Sequence, residues 1–239
     1  MGISGINWGS PVYHADVIGG ETGDFSLKEA RQALIEKAQG KPLLIHLSLT
    51  GSDLGSYDKL FRVQQNVLFL AAAGNDNKKK ISYPANLARE YDNVIAVGAS
   101  SWGARDWFGN SKTPGQRISY QGGWGSNYED GLTGMAASEV PAANAIQNQS
   151  GSADFYYHYY SDNPNINPFH GTSASTPHVS GIASLVWSLN PGLTASQVKV
   201  ILAGTAYDLE APGYHAEYGY GLFNADAVVR TASAIGRSI

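Results

Sequence analysis

The residue with the clearest chemistry is Ser173, in the run Gly171-Thr172-Ser173-Ala174-Ser175-Thr176-Pro177-His178-Val179-Ser180-Gly181. From Pro177 to Leu189 the chain predicts a largely apolar helix closed by Asn190-Pro191-Gly192, which puts the serine just ahead of a buried helix. Backbone N–H groups at a helix start point outward without partners, so negative charge developing on a nearby acyl oxygen is stabilised there. Gly171 permits close approach, and Pro177 is expected so early in the helix that its missing N–H would have been unpaired in any case. A bare Gly-Thr-Ser is equally what an ordinary helix N-cap looks like. The longer string and the rest of the chain have to decide.

The elements that must position this serine follow from periodicity. Val12 to Ile18 alternates and predicts a strand ending at Gly19-Gly20. Ser26 with Glu29 reads as a capping box opening a helix over about 27–39. Leu43 to Leu49, Val67 to Ala73 and Val94 to Ala99 are short apolar runs, as expected of strands buried on both faces of a parallel sheet, with a helix over roughly 55–65 between the first two. This alternation is the grammar of an α/β fold: a doubly wound, mostly parallel sheet with helices on both faces. From Ser101 to about Pro168 the pattern dissolves into Gly, Ser, Asn and aromatic residues, predicting long loops with one strand near Leu132 to Ala137. Thr194 is expected to cap a helix over Ala195 to Ala203, and a last helix begins at Ala225.

The eleven-residue string around Ser173 closely resembles the serine signature of the subtilisin-like proteases. Other segments match in family order. Ala71-Ala72-Ala73-Gly74-Asn75 resembles the strand end that carries the family's oxyanion asparagine, followed by Tyr83-Pro84-Ala85 and Asn93 to Ala99. The resemblance implies that Ser173 is the nucleophile and that Asn75 donates its side-chain amide to the tetrahedral intermediate. Ser48-Leu49-Thr50-Gly51 resembles the strand that pairs with an extended peptide substrate. Thr50 stands where the family has glycine, and Ala174 where it has methionine. By the same resemblance Ala72, Ala73 and Gly74 line the opposite wall of the substrate pocket, and Thr172 is grouped with the substrate-binding residues. Ser175 occupies the place where the α/β-hydrolase nucleophile elbow needs its second glycine, which excludes that motif.

A serine hydroxyl needs a base within hydrogen-bond reach and a third group to orient that base. The family's His-Gly-Thr-His and Asp-(Ser/Thr)-Gly segments do not occur in these 239 residues. Residues 5–18 resemble the stretch that follows the family's histidine helix, so the expectation is a single catalytic domain lacking its N-terminal strand and histidine helix. An upstream segment or second chain would supply Asp and His. Among the six histidines, His178 reads as a helix residue and His170 as a cleft-rim residue, while His14 and His46 fall in strands; none is assigned as the base. The alternative is a catalytically silent relative that uses the cleft only to hold a peptide or partner chain.

Composition narrows the classes further. A formal net charge of −4 without a basic run longer than Lys78-Lys79-Lys80 argues against nucleic acid as a partner. The longest apolar run, Val67 to Ala73, falls well short of the ~20 residues of a spanning helix, so no membrane is implied. No signal peptide is read at Met1 to Trp8, and secretion is an expectation from the family alone. The chain has no cysteine, hence no disulfide and no thiolate metal site. No cofactor is required, calcium is a candidate structural ion as in several family members, and residues 103–168 are expected to form a long loop insert.

Overall fold

The computed structural model describes residues 5–15, 17, 27–51, 58–62, 65–103, 112–120, 123–140, 143–147, 153–157 and 169–236. Four strands, β1 (Leu43–Leu47), β2 (Val67–Ala72), β3 (Val94–Ser101) and β4 (Gly134–Ser138), form one parallel sheet in the order β1-β2-β3-β4. Helix α1 (Leu27–Ala38) lies on one face, and α2 (Thr172–Leu189), α3 (Ala195–Gly204) and α4 (Ala225–Gly236) lie on the other. Alternation along β2 explains the two layers. Leu68 and Leu70 face a core shared with Val179, Val186, Leu202 and Val228, while Val67, Phe69 and Ala71 face Phe61, Leu87 and the α1 side chains Leu34 and Ile35. Both faces being covered, β2 and β3 are buried at every position. The doubly wound α/β expectation holds.

Several local expectations need correction. Residues 12–15 and 17 carry no strand, since alternation alone supplies no hydrogen-bonding partner. The helix expected over 55–65 is a 3₁₀ turn at Asp58–Leu60, with much of the remaining stretch, like the Ser26 capping box, outside the described residues. The loop region contains an antiparallel pair, β5 (Ala143–Gln147) and β6 (Ala153–Tyr157). The capping box at α3 is present: Gln197 N–H donates to the Thr194 hydroxyl, and the Gln197 side chain accepts from Thr194 N–H.

The two edges of the sheet differ. Along β4, Met135 exchanges hydrogen bonds with Gly221 and Phe223, so the chain after α3 closes that edge. Among the described residues nothing pairs with the outer edge of β1. A groove of about 1170 Å³ runs there between α1 and α2, lined by every residue from Leu43 to Leu49 and by Leu34, Ser180 and Ser184.

On α3, Lys199 donates from Nζ to the carbonyls of Ala88 (2.9 Å) and Tyr91 (3.2 Å). Burial nevertheless lowers its pKa to about 8, with Asp92 opposing the shift. Between about pH 8 and the ordinary lysine value of 10.5 the unfolded chain therefore holds a proton that the folded chain has released. Stability rises with pH across that window, by up to about 3 kcal/mol. Denaturant midpoints at pH 8 and pH 10 check this, with Lys199→Met expected to remove the rise.

Candidate active site

Helix α2 begins at Thr172 with Gly171 as its N-cap residue, so Ser173 lies inside the first turn and not ahead of the helix. The difference comes from Pro177, which falls in the second turn, where an ordinary residue would donate to the Ser173 carbonyl four positions back. That carbonyl is served from elsewhere: Ser48 Oγ donates to it at 2.8 Å. The expectation that the missing proline N–H would cost no hydrogen bond was therefore incorrect; a strand hydroxyl 125 residues away makes up the loss. In return, Ser173 Oγ donates to the Ser48 carbonyl at 3.2 Å, so the end of β1 and the first turn of α2 exchange two hydrogen bonds.

Asn75 lies past the end of β2 and is held by the same turn of α2. Its Oδ1 accepts from Thr172 N–H (2.8 Å) and from the Thr172 hydroxyl (3.1 Å). The Thr172 hydroxyl itself accepts from Gly74 N–H at 3.2 Å. With Oδ1 committed, the amide plane is fixed and Nδ2 is left as a donor without an acceptor among the described residues. Gly171 makes the approach possible. Its φ of 85° and ψ of 175° suit glycine, and a Cβ there would stand 3.0 Å from Asn75 Nδ2.

The other expected site residues fall around this pair. Ser48 and Leu49 are half-buried and Thr50 is exposed, beyond which Gly51 N–H donates to the Tyr83 carbonyl and bridges the two sides. Ala72, Ala73 and Gly74 are buried, with Ala73 in the layer that also holds Phe69 and Ala71. Thr172 is fully buried, and its N–H and hydroxyl bond Asn75 and Gly74, so it also orients the Asn75 amide.

Among the described residues no histidine nitrogen is hydrogen-bonded to Ser173 Oγ. His178 Nδ1 bonds the Ala174 carbonyl of its own helix (2.8 Å), and exposed His170 meets the Trp124 ring edge-on at 5.2 Å between centroids. His46, which the sequence offered only as a strand residue, is different. Its Nε2 lies 2.8 Å from Ser48 Oγ and its Nδ1 3.1 Å from Ser180 Oγ; one side of the residue stays exposed, and desolvation of the rest lowers its pKa from the ordinary imidazole value. The signal for it was the i, i+2 spacing to Ser48, which puts both on one side of β1. Among the described residues no three His, Cys, Asp or Glu side chains gather as a metal site, and no helix is long and apolar enough to cross a membrane.

Comparison with known proteins agrees with the fold and with the family resemblance. The model of the subtilase family matches residues 1–221, and the chain belongs to that family. It is 28% identical over 234 residues to alkaline elastase YaB of Bacillus sp. (strain YaB), covering 96% of this chain and 51% of that protein. To subtilisin Savinase of Lederbergia lenta it is 30% identical over 233 residues, covering 96% of this chain and 72% of the relative. The crystal structure of the psychrophilic subtilisin-like protease Apa1 from Pseudoalteromonas sp. AS-11 superposes with a TM-score of 0.61 at 18% identity, covering 87% of this chain and 74% of that one. The chain spans about half the length of several curated relatives it matches.

Proposed function

We propose that this chain is the nucleophile-bearing part of a serine endopeptidase that cleaves extended peptides through an acyl-enzyme on Ser173. The observation that carries the reading is the fixed Asn75 amide, whose Oδ1 is tied to Thr172 and whose Nδ2 is left to donate beside the helix turn of Ser173. A peptide would pair with Ser48 to Gly51. Ser173 Oγ attacks the scissile carbonyl carbon and its proton passes to a histidine base. The carbonyl oxygen takes the negative charge and accepts from Asn75 Nδ2 and from the Ser173 backbone N–H, the first-turn amide of α2 not already given to Asn75 or Gly171. Collapse expels the amine, which takes the proton from the histidine, and water then releases the acyl group by the reverse path.

The base and its aspartate belong, in this reading, to a segment outside these 239 residues. The open edge of β1 and its groove support that reading, because a further parallel strand with a packed helix would fill it and shield the unpaired backbone groups. The domain is then a single one with residues 103–168 as its long insert, the enzyme acts outside the cell as the family resemblance implies, and calcium enters only as a candidate structural ion. The chemistry needs no cofactor.

Joining the chain to the segment encoded upstream and assaying an unfolded protein substrate tests the proposal. Hydrolysis by the joined protein and none by the 239-residue chain is expected. A joined protein that binds peptide without cleaving it would favour the catalytically silent relative.

A further inference from the structure

The exchange of hydrogen bonds between Ser48 and Ser173 has a third member. Ser48 has a single hydroxyl proton, and it is donated to the Ser173 carbonyl. The 2.8 Å bond between Ser48 Oγ and His46 must then be donated by the ring, from Nε2–H. In the neutral tautomer that carries its proton on Nε2, Nδ1 is an acceptor, and the Ser180 hydroxyl 3.1 Å away is the donor that faces it. Ser180 can turn away from the Thr176 carbonyl, 3.2 Å from its Oγ, because that carbonyl lies in the regular part of the helical ladder. The Ser173 carbonyl has no such reserve, since Pro177 offers it no N–H.

We propose that His46 is a positioning residue for Ser173: Nε2–H holds the Ser48 hydroxyl on the Ser173 carbonyl, and this fixes the first turn of α2. His46 belongs to the exposed edge strand and touches no part of the Ser173 hydroxyl; it acts through Ser48. Without the ring, the Ser48 hydroxyl is free to rotate to solvent or to another acceptor. The proline-weakened turn then frays, and the nucleophile loses its fixed direction. The catalytic consequence rests on Ser173 being the nucleophile, but the hydrogen-bonded arrangement does not.

The test therefore uses amide hydrogen exchange in the full 239-residue chain, which requires no activity. The reporters are Ala174, Ser175 and Thr176, with Val186 and Trp187 of the same helix as internal controls. His46→Gln keeps an amide donor near the Nε2 position. His46→Asn places its amide near Nδ1, within reach of Ser180 but short of Ser48, and His46→Leu keeps neither. His46→Leu and His46→Asn are expected to speed exchange of the reporters about tenfold, and His46→Gln to stay within about twofold of the parent. Ser48→Ala should reproduce the Leu effect, and combining the two should add nothing. The proposal is overturned if Gln and Asn behave alike, or if the Leu and Ser48→Ala effects add. Should His46→Leu fail to fold, the Gln and Asn variants decide alone.

Discussion

In the protein completed by its base, Ser173→Ala is expected to lower kcat by about 10⁶-fold, the loss found when subtilisin is deprived of its nucleophile, with KM little changed. The substitution removes the reacting oxygen and one outgoing bond, from Ser173 Oγ to the Ser48 carbonyl. The bond that repairs the helix ladder goes to the Ser173 carbonyl and survives. Stability should accordingly fall by no more than about 1 kcal/mol, the ordinary net value of a single hydrogen bond. Progress curves with a chromogenic peptide, read beside thermal melts of the same samples, check both halves.

Asn75 gives the second large effect, and here two substitutions separate two jobs. Asn75→Asp keeps an oxygen for Thr172 N–H and Thr172 Oγ–H but replaces the free donor with a negative oxygen. It is expected to reduce kcat by at least the 10²–10³-fold, about 2.7–4 kcal/mol, known for loss of subtilisin's oxyanion asparagine, while the melting temperature barely moves. Asn75→Leu loses the donor and also leaves two polar groups of fully buried Thr172 without their acceptor. It should cost about 1–3 kcal/mol of stability in addition to the rate. Equal melting temperatures for the two variants would mean that Asn75 does not hold the first turn of α2.

What the sequence makes legible here is what depends on local pattern. Strands β2 and β3 are apolar runs because both of their faces are covered, and α3 announces itself through Thr194 and Gln197, three residues apart. The motif around Ser173 and the Asn75 segment were recognisable as strings, and the structure brings their neighbours Thr172 and Asn75 within 2.8 Å. The start of α2 was not legible, because Pro177 ordinarily marks a first helical turn and the hydroxyl that meets the Ser173 carbonyl comes from Ser48, far away in the sequence. His46 escaped for the same reason: its meaning depends on a helix that joins the strand only in three dimensions. Thr172 is legible as a motif neighbour, but its bonds to Asn75 emerge only where the end of β2 meets α2.

The activity proposed for this chain depends on Ser173 being a nucleophile that awaits its base. Labelling with a fluorophosphonate, followed by mapping of the adduct by mass spectrometry, reads that role at the hydroxyl itself. No adduct is expected on the folded 239-residue chain, where Ser173 Oγ donates to the Ser48 carbonyl, and a single adduct at Ser173 is expected once the upstream segment is joined. An adduct on another residue of the joined protein, or none at all, would mean that Ser173 is not the nucleophile.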